Sequence, residues 1–210
     1  MTVPRARWAV LGVVLVAAFV ALGLTVRVAP LALDAAIARG LDGVWREPLG
    51  TAAGIVSDVL GPVLPVLSGI GLLIAAALRR RHAGVLMRLF LVLLACRLTS
   101  LLKPAFDRQR PRAYPELSYP SGHVVSVAST GLVAILLCAW LFPRAVRWVA
   151  AAAVVATALC AAARIVLGVH WFSDTVGAAL AVTGVGLLVA TGVGLLPSRT
   201  ARLPAGETSA

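Results

Sequence analysis

The chain has 210 residues, 60% hydrophobic and only 13% charged, with a formal net charge of +11. A soluble domain of this length cannot cover so much apolar surface, whereas a bilayer can, so one membrane-embedded domain is expected. The basic residues lie scattered between apolar runs, not in a stripe with interleaved aromatics, which argues against a nucleic-acid partner.

Six apolar runs are long enough, at about 20 residues, to cross a bilayer as helices. They are Trp8–Val26, Val59–Leu78, Val85–Leu102, Val124–Phe142, Trp148–Leu167 and Thr175–Leu196. Strands are disfavoured because open sheet edges do not survive in lipid, and no alternating ten-residue pattern occurs. The expected fold is therefore all-α, a polytopic membrane bundle of six transmembrane helices over residues 1–196. A polar tail, residues 197–210, is expected to be disordered.

The first run follows Arg5 and Arg7, as a signal peptide would, but it is long for one and no small-residue cleavage site follows. It reads as an uncleaved span. The segment Arg27–Asp58 mixes Leu31, Leu33, Ile37 and Leu41 with Asp34, Arg39, Asp42 and Arg46. That spacing suits either a short amphipathic surface helix or an ordinary connecting loop. Pro62 and Pro65 are expected to kink span two. In span six, Gly177, Gly184, Gly186, Gly192 and Gly194 offer close helix contacts. Cys96, Cys138 and Cys160 lie inside apolar runs with no metal-ligand spacing, and read as buried apolar residues.

Basic residues flank the spans on one side: Arg5 and Arg7, then Arg79–Arg81, then Arg144 and Arg147, then Arg199 and Arg202. By the positive-inside rule that side, with both termini, is cytoplasmic. His82 belongs to this side and reads as solvated. The opposite side also carries charge, in Lys103–Arg112, which breaks the simple rule and calls for a functional reason.

Three polar clusters fall on that opposite side. The first is Lys103, six residues, then Arg110-Pro111. The second is Tyr119-Pro120-Ser121-Gly122-His123, opening span four. The third is Arg164, five residues, His170, three residues, Asp174. Hydropathy and loop charge alone bring all three to one bilayer level.

The residue types suit a phosphate. Lys103, Arg110 and Arg164 supply positive charge, and arginine can hold phosphate oxygens through paired bonds. Ser121-Gly122-His123 opens a helix, whose N–H groups and positive end favour an anion. His170 and Asp174 are four apart and share a helix face. A carboxylate on Nδ1 of His170 leaves Nε2 as a nucleophile. His123 is suited to proton transfer. Arg97, about 9 Å of helix rise below Lys103, either snorkels outward or supports the site. Asp107 and Arg108 read as a local pair with no assigned role.

These spacings resemble the three signature motifs of the type-2 phosphatidic acid phosphatase superfamily, over Lys103–Asp174. The resemblance implies a metal-independent phosphatase without cofactor. In it His170 attacks phosphorus to form a phosphohistidine, Asp174 orients it, and His123 protonates the leaving oxygen and then activates water. Lys103, Arg110, Ser121, Gly122 and Arg164 would hold the phosphate. Three residues depart from the usual pattern: Ala163 stands where a serine is common, Phe172 where proline is common, and Val124 where a smaller residue is common.

The expected substrate is a lipid phosphate or polyprenyl diphosphate, met among membrane lipids at the outer face of the cell membrane. A lipid phosphotransferase with an acceptor other than water shares every motif. A non-catalytic lipid-binding or transport protein is disfavoured by the complete set His123, His170 and Asp174.

Overall fold

The computed structural model describes residues 5–196, and all regular structure among them is helical. Nine α-helices follow in chain order: α1 (Arg5–Val26), α2 (Ala32–Gly40), α3 (Pro48–Val59), α4 (Val63–Leu78), α5 (Ala83–Leu98), α6 (Lys103–Phe106), α7 (Gly122–Leu141), α8 (Val146–Val166) and α9 (Phe172–Gly192). Six helical stretches have the length and apolarity to cross a membrane: Arg5–Val26, Pro48–Leu78, Arg80–Phe106, Gly122–Leu141, Pro143–Val166 and Phe172–Gly192. The expected tail, residues 197–210, lies outside the described residues.

Six spans match the sequence reading, but the second differs at its start. Helix begins at Pro48, not Val59, and α3 is separated from α4 by Leu60-Gly61-Pro62. Pro62 has no N–H to continue the ladder, so the break falls there. Pro65 sits in the first turn of α4, where an N–H has no intrahelical partner to lose. Within the segment Arg27–Asp58, α2 is a short helix and not an irregular loop.

Helix α9 is the central post, packed on α1, α5 and α7. Small residues let these helices approach. A Cβ added at Gly12 of α1 would meet Leu188 and the Gly184 carbonyl, and one added at Gly184 would meet the backbone of Val16. Without those two glycines the first and last spans could not touch backbone to backbone. Gly177 likewise makes room for the Tyr119 ring. Tyr119 is fully buried, stacks on Phe19 at 5.3 Å, and donates its hydroxyl proton to the Phe19 carbonyl at 2.6 Å. Burial of an aromatic ring with its one polar atom satisfied anchors the second motif to span one.

Arg5 donates to the Thr191 carbonyl at 2.9 Å, so the start of α1 meets the end of α9. The arginine-bearing turns between α4 and α5 and between α7 and α8 lie at that same end. The turns after α5 and α8, which carry the motifs, lie at the other. Cys96, Cys138 and Cys160 are buried and unpaired with one another, as their apolar settings implied. His82 differs from its reading: it packs edge-on against Trp140 with ring centroids 5.1 Å apart, partly covered instead of solvated.

Candidate active site

The local sequence explains where each motif lands. α6 ends at Asp107, whose φ of 45° is left-handed and turns the chain back over the bundle. The loop that follows returns Ser118 and Ser121 beside the start of α9: the Ser121 N–H donates to the Asp174 carbonyl at 3.3 Å. Ser121 is the residue before α7, extended at φ −67° and ψ 114°, yet its hydroxyl makes no capping bond. At the end of α8, Gly168 takes a left-handed φ of 65°, which lets the chain reverse into α9 within a few residues.

His170 is 2% exposed and lies against Asp174, which is fully buried. Nδ1 of His170 is 3.3 Å from Oδ2 of Asp174. The same Oδ2 accepts from the Trp171 backbone N–H at 2.8 Å and from the Ser118 hydroxyl. The first of these bonds caps α9, so Asp174 serves the helix and the histidine together. Oδ1 accepts from Arg108 at 2.5 Å. Four donors thus hold one carboxylate in its ionised form. Burial pushes His170 down to about 4, against the upward pull of its bond to Asp174. The ring is therefore neutral at pH 7, with Nδ1 engaged and Nε2 left as the basic atom.

His170 opens onto a cavity of about 330 Å³ that is also lined by Arg97, Lys103, Arg110, Gly122, His123 and Arg164. Four guanidinium or ammonium groups therefore converge on one pocket with two imidazoles. Four buried side-chain polar atoms among the described residues lack a hydrogen-bond partner: Ser121 Oγ, Arg164 Nε, Trp8 Nε1 and Thr130 Oγ1. Two of the four belong to the phosphate-binding set read from the sequence. Unpaired buried donors are costly, and of these two residues Arg164 lines the cavity. The other guanidinium edge of Arg164 donates to Ser57 of α3 at 3.0 Å. A larger cavity of about 670 Å³ lies under α2 and also touches His170, but Lys103, Arg110 and Arg164 do not line it. The smaller cavity is the one on which Lys103, Arg110 and Arg164 converge.

Arg110 differs in part from its expected role. Its Nε and one terminal nitrogen donate to the carbonyls of Glu116 and Val169, at 2.6 and 2.9 Å. Most of its fork stitches the loop to the turn before α9, and only the remaining nitrogen faces a carboxylate. Arg97 takes the supporting role: it donates to the Gly122 carbonyl at 3.3 Å.

Several partners were not read from the sequence. Arg108 does not pair with Asp107. It is buried between Asp34 of α2 at 2.7 Å and Asp174 at 2.5 Å. Ser118, Ser57 and Asp34 were likewise not assigned. Glu116 is the fifth. Its carboxylate lies 3.3 Å from Lys103 and 3.2 Å from Arg110, and the Lys103 charge holds it below the usual carboxylate range. A charged carboxylate between these two cations would compete with any anion entering the cavity. Glu116 is mostly exposed, so its pairing is worth up to about 1 kcal/mol, or roughly fivefold in binding. Glu116→Gln is expected to lower the inhibition constants of inorganic phosphate and vanadate by about two- to fivefold on that scale. Raised inhibition constants would show instead that Glu116 positions the cations.

The model of the PAP2 superfamily matches residues 84–195, more than half of the chain. The chain belongs to the PAP2 superfamily. A search of curated proteins found no match. Among solved structures, one similar chain is described as the crystal structure of the first transmembrane PAP2 type phosphatidylglycerolphosphate phosphatase from Bacillus subtilis. It is 22% identical, with a TM-score of 0.65 over 86% of this chain and 94% of that one. The likeness establishes a shared membrane PAP2 fold, and it extends beyond the family-matched stretch into α1–α4. Asp34 and Ser57, which touch Arg108 and Arg164, both precede that stretch.

Proposed function

We propose that this PAP2 protein is an integral-membrane phosphatase that hydrolyses a lipid phosphate or diphosphate at the outer face, through a phosphohistidine on His170. The observation that carries the reading is the pairing of a buried, neutral, carboxylate-held His170 with a small cavity of converging cations. Fixed positive charge stabilises the phosphoryl group as it transfers, and the covalent route divides a hard displacement into two easier ones.

In the first step the Nε2 lone pair of His170 bonds to phosphorus and the ester or anhydride P–O bond breaks. His123 gives its proton to the departing oxygen. The ring of His170 gains positive charge, which Asp174 balances through Nδ1. In the second step His123 takes a proton from water, the hydroxide bonds to phosphorus, and the P–N bond breaks back to neutral imidazole. Lys103, Arg110 and Arg164, with Ser121 and Gly122, hold the phosphoryl oxygens throughout. Arg97 supports this set through Gly122.

The outer placement rests on the arginine-bearing turns at the opposite end of the bundle. Both termini would then be cytoplasmic. A lipid substrate is favoured because the cavity sits where the spans end, so a headgroup reaches His170 while the tail stays in the bilayer. Phosphatidylglycerol phosphate, phosphatidic acid and polyprenyl diphosphate are the candidates.

The test is a rapid-quench reaction with ³²P-labelled phosphatidic acid and phosphatidylglycerol phosphate. Label that resists base and is released by acid is expected on His170. Specificity constants for lipid phosphates should exceed those for a soluble sugar phosphate by about 100-fold, since the tail adds binding energy. An active enzyme that never carries label, or equal specificity constants, would overturn the proposal.

A further inference from the structure

Asp34 lies in α2, outside the family-matched stretch, and is 1% exposed. A buried carboxylate is costly unless it is fully paired. Apart from a long bond at the start of its own helix, this one is paired with neighbours of the candidate site. Oδ1 accepts from the Ser173 backbone N–H at 2.9 Å. Oδ2 accepts from the Ser173 hydroxyl at 2.5 Å and from Arg108 at 2.7 Å, with a longer bond from the Leu31 N–H at 3.4 Å. The second nitrogen of the same guanidinium donates to Asp174. Arg108 is thus shared between two carboxylates, only one of which touches His170.

The charge count gives this arrangement a purpose. Asp34 and Asp174 carry two negative charges and Arg108 one positive, so the buried trio has a net charge of −1. His170 is neutral beforehand and becomes cationic when its Nε2 bonds to phosphorus, 3.3 Å of hydrogen bond away from that surplus. Without Asp34, Arg108 would neutralise Asp174 and no surplus would remain for the imidazolium. We propose that Asp34 is a positioning residue that offsets Arg108, so that Asp174 keeps a full negative charge for His170 during phosphoryl transfer. The inference rests on the phosphohistidine reading. It adds to the reaction a residue from a surface helix that carries none of the three motifs.

Asp34→Asn keeps the shape and removes the charge. It is expected to lower kcat and the rate of phosphoenzyme formation by about 10- to 100-fold, the usual cost of losing an indirect partner, with KM within about threefold of the parent. A purely structural role would not predict the next result. The double variant Asp34→Asn with Arg108→Gln restores the net charge of −1. It should regain at least about tenfold in kcat over Asp34→Asn, because the two losses are coupled and not additive. It is also the variant to use if Asp34→Asn does not accumulate in the membrane, where its kcat should then exceed that of Asp174→Asn.

Asp34→Asn that forms phosphoenzyme at the parental rate overturns the inference and leaves the phosphohistidine intact. So does a double variant less active than Asp34→Asn, or, when the single variant is absent, no more active than Asp174→Asn. A parent enzyme that is active and forms no phosphoenzyme defeats the underlying reading instead.

Discussion

Replacing His170 by alanine is expected to lower turnover of a lipid phosphate by about 10⁴-fold or more while the protein stays folded, since in the proposed mechanism the residue supplies the nucleophile. The ring is buried, so truncation leaves a space, but its removal exposes no unpaired charge. Asp174 retains its bonds from Arg108, Trp171 and Ser118. The check is activity per folded molecule in detergent, with thermal unfolding followed in parallel. Substantial activity in a well-folded variant would end the mechanism. His170 also has a signature in pH. Its protonation is displaced from about 6.5 in an unfolded chain to about 4 in the folded one. The unfolded state therefore binds the extra proton first, so this histidine makes the fold less stable as pH falls from about 6.5 towards 4. The alanine variant should lack that contribution.

Arg108→Leu is expected to be the most destabilising single substitution in the site, and to lose activity through the fold itself. It leaves Asp34 and Asp174 buried with no cation between them. Removing one partner of a buried ion pair typically costs about 3–5 kcal/mol, a large share of the stability of a small domain. Expression in the membrane and the thermal midpoint in detergent are the measurements. A midpoint within a few degrees of the parent would show that the two carboxylates do not depend on Arg108. Its neighbour Arg112 gives the contrast. That guanidinium sits 4.1 Å from the ring centre of Trp45, and among the described residues it forms no ion pair.

The contrast between these two residues shows what could be read in advance. Span positions are legible because hydropathy depends on near neighbours, and the three motifs because their spacing is local. Arg108 sits two residues from Arg110, yet its partners are 66 and 74 residues away in sequence. No local pattern encodes that. The chain holds 8 acidic residues against 19 basic ones, so each acid near the motifs was a scarce partner that needed accounting. Such an accounting singles out Glu116, whereas Asp34 lies 74 residues from Arg108. The excess charge in Lys103–Arg112 is a visible signal, of which the sequence reading gives Lys103 and Arg110 to phosphate and leaves Arg108 without a role. Half of the answer was structural: Arg108 neutralises carboxylates, and most of Arg110 ties down a loop. The early start of span two escaped for a different reason. Residues 48–59 include Thr51, Ser57 and Asp58, which dilute the apolar run without preventing a helix.

Three residues among the first eighty accept bonds from the motifs or their neighbours, and this bears on modularity. Phe19 receives the Tyr119 hydroxyl, Asp34 receives Arg108 and Ser173, and Ser57 receives Arg164. Each anchors a different one of the three motifs or its neighbour. The stretch that bears the family signature is therefore not an exchangeable cassette. Grafted onto another set of leading helices, it would carry the motif histidines but leave a phenol, two guanidinium groups and a helix start without their acceptors. A working chimera has to exchange both parts together, because the motif-free helices are built into the catalyst.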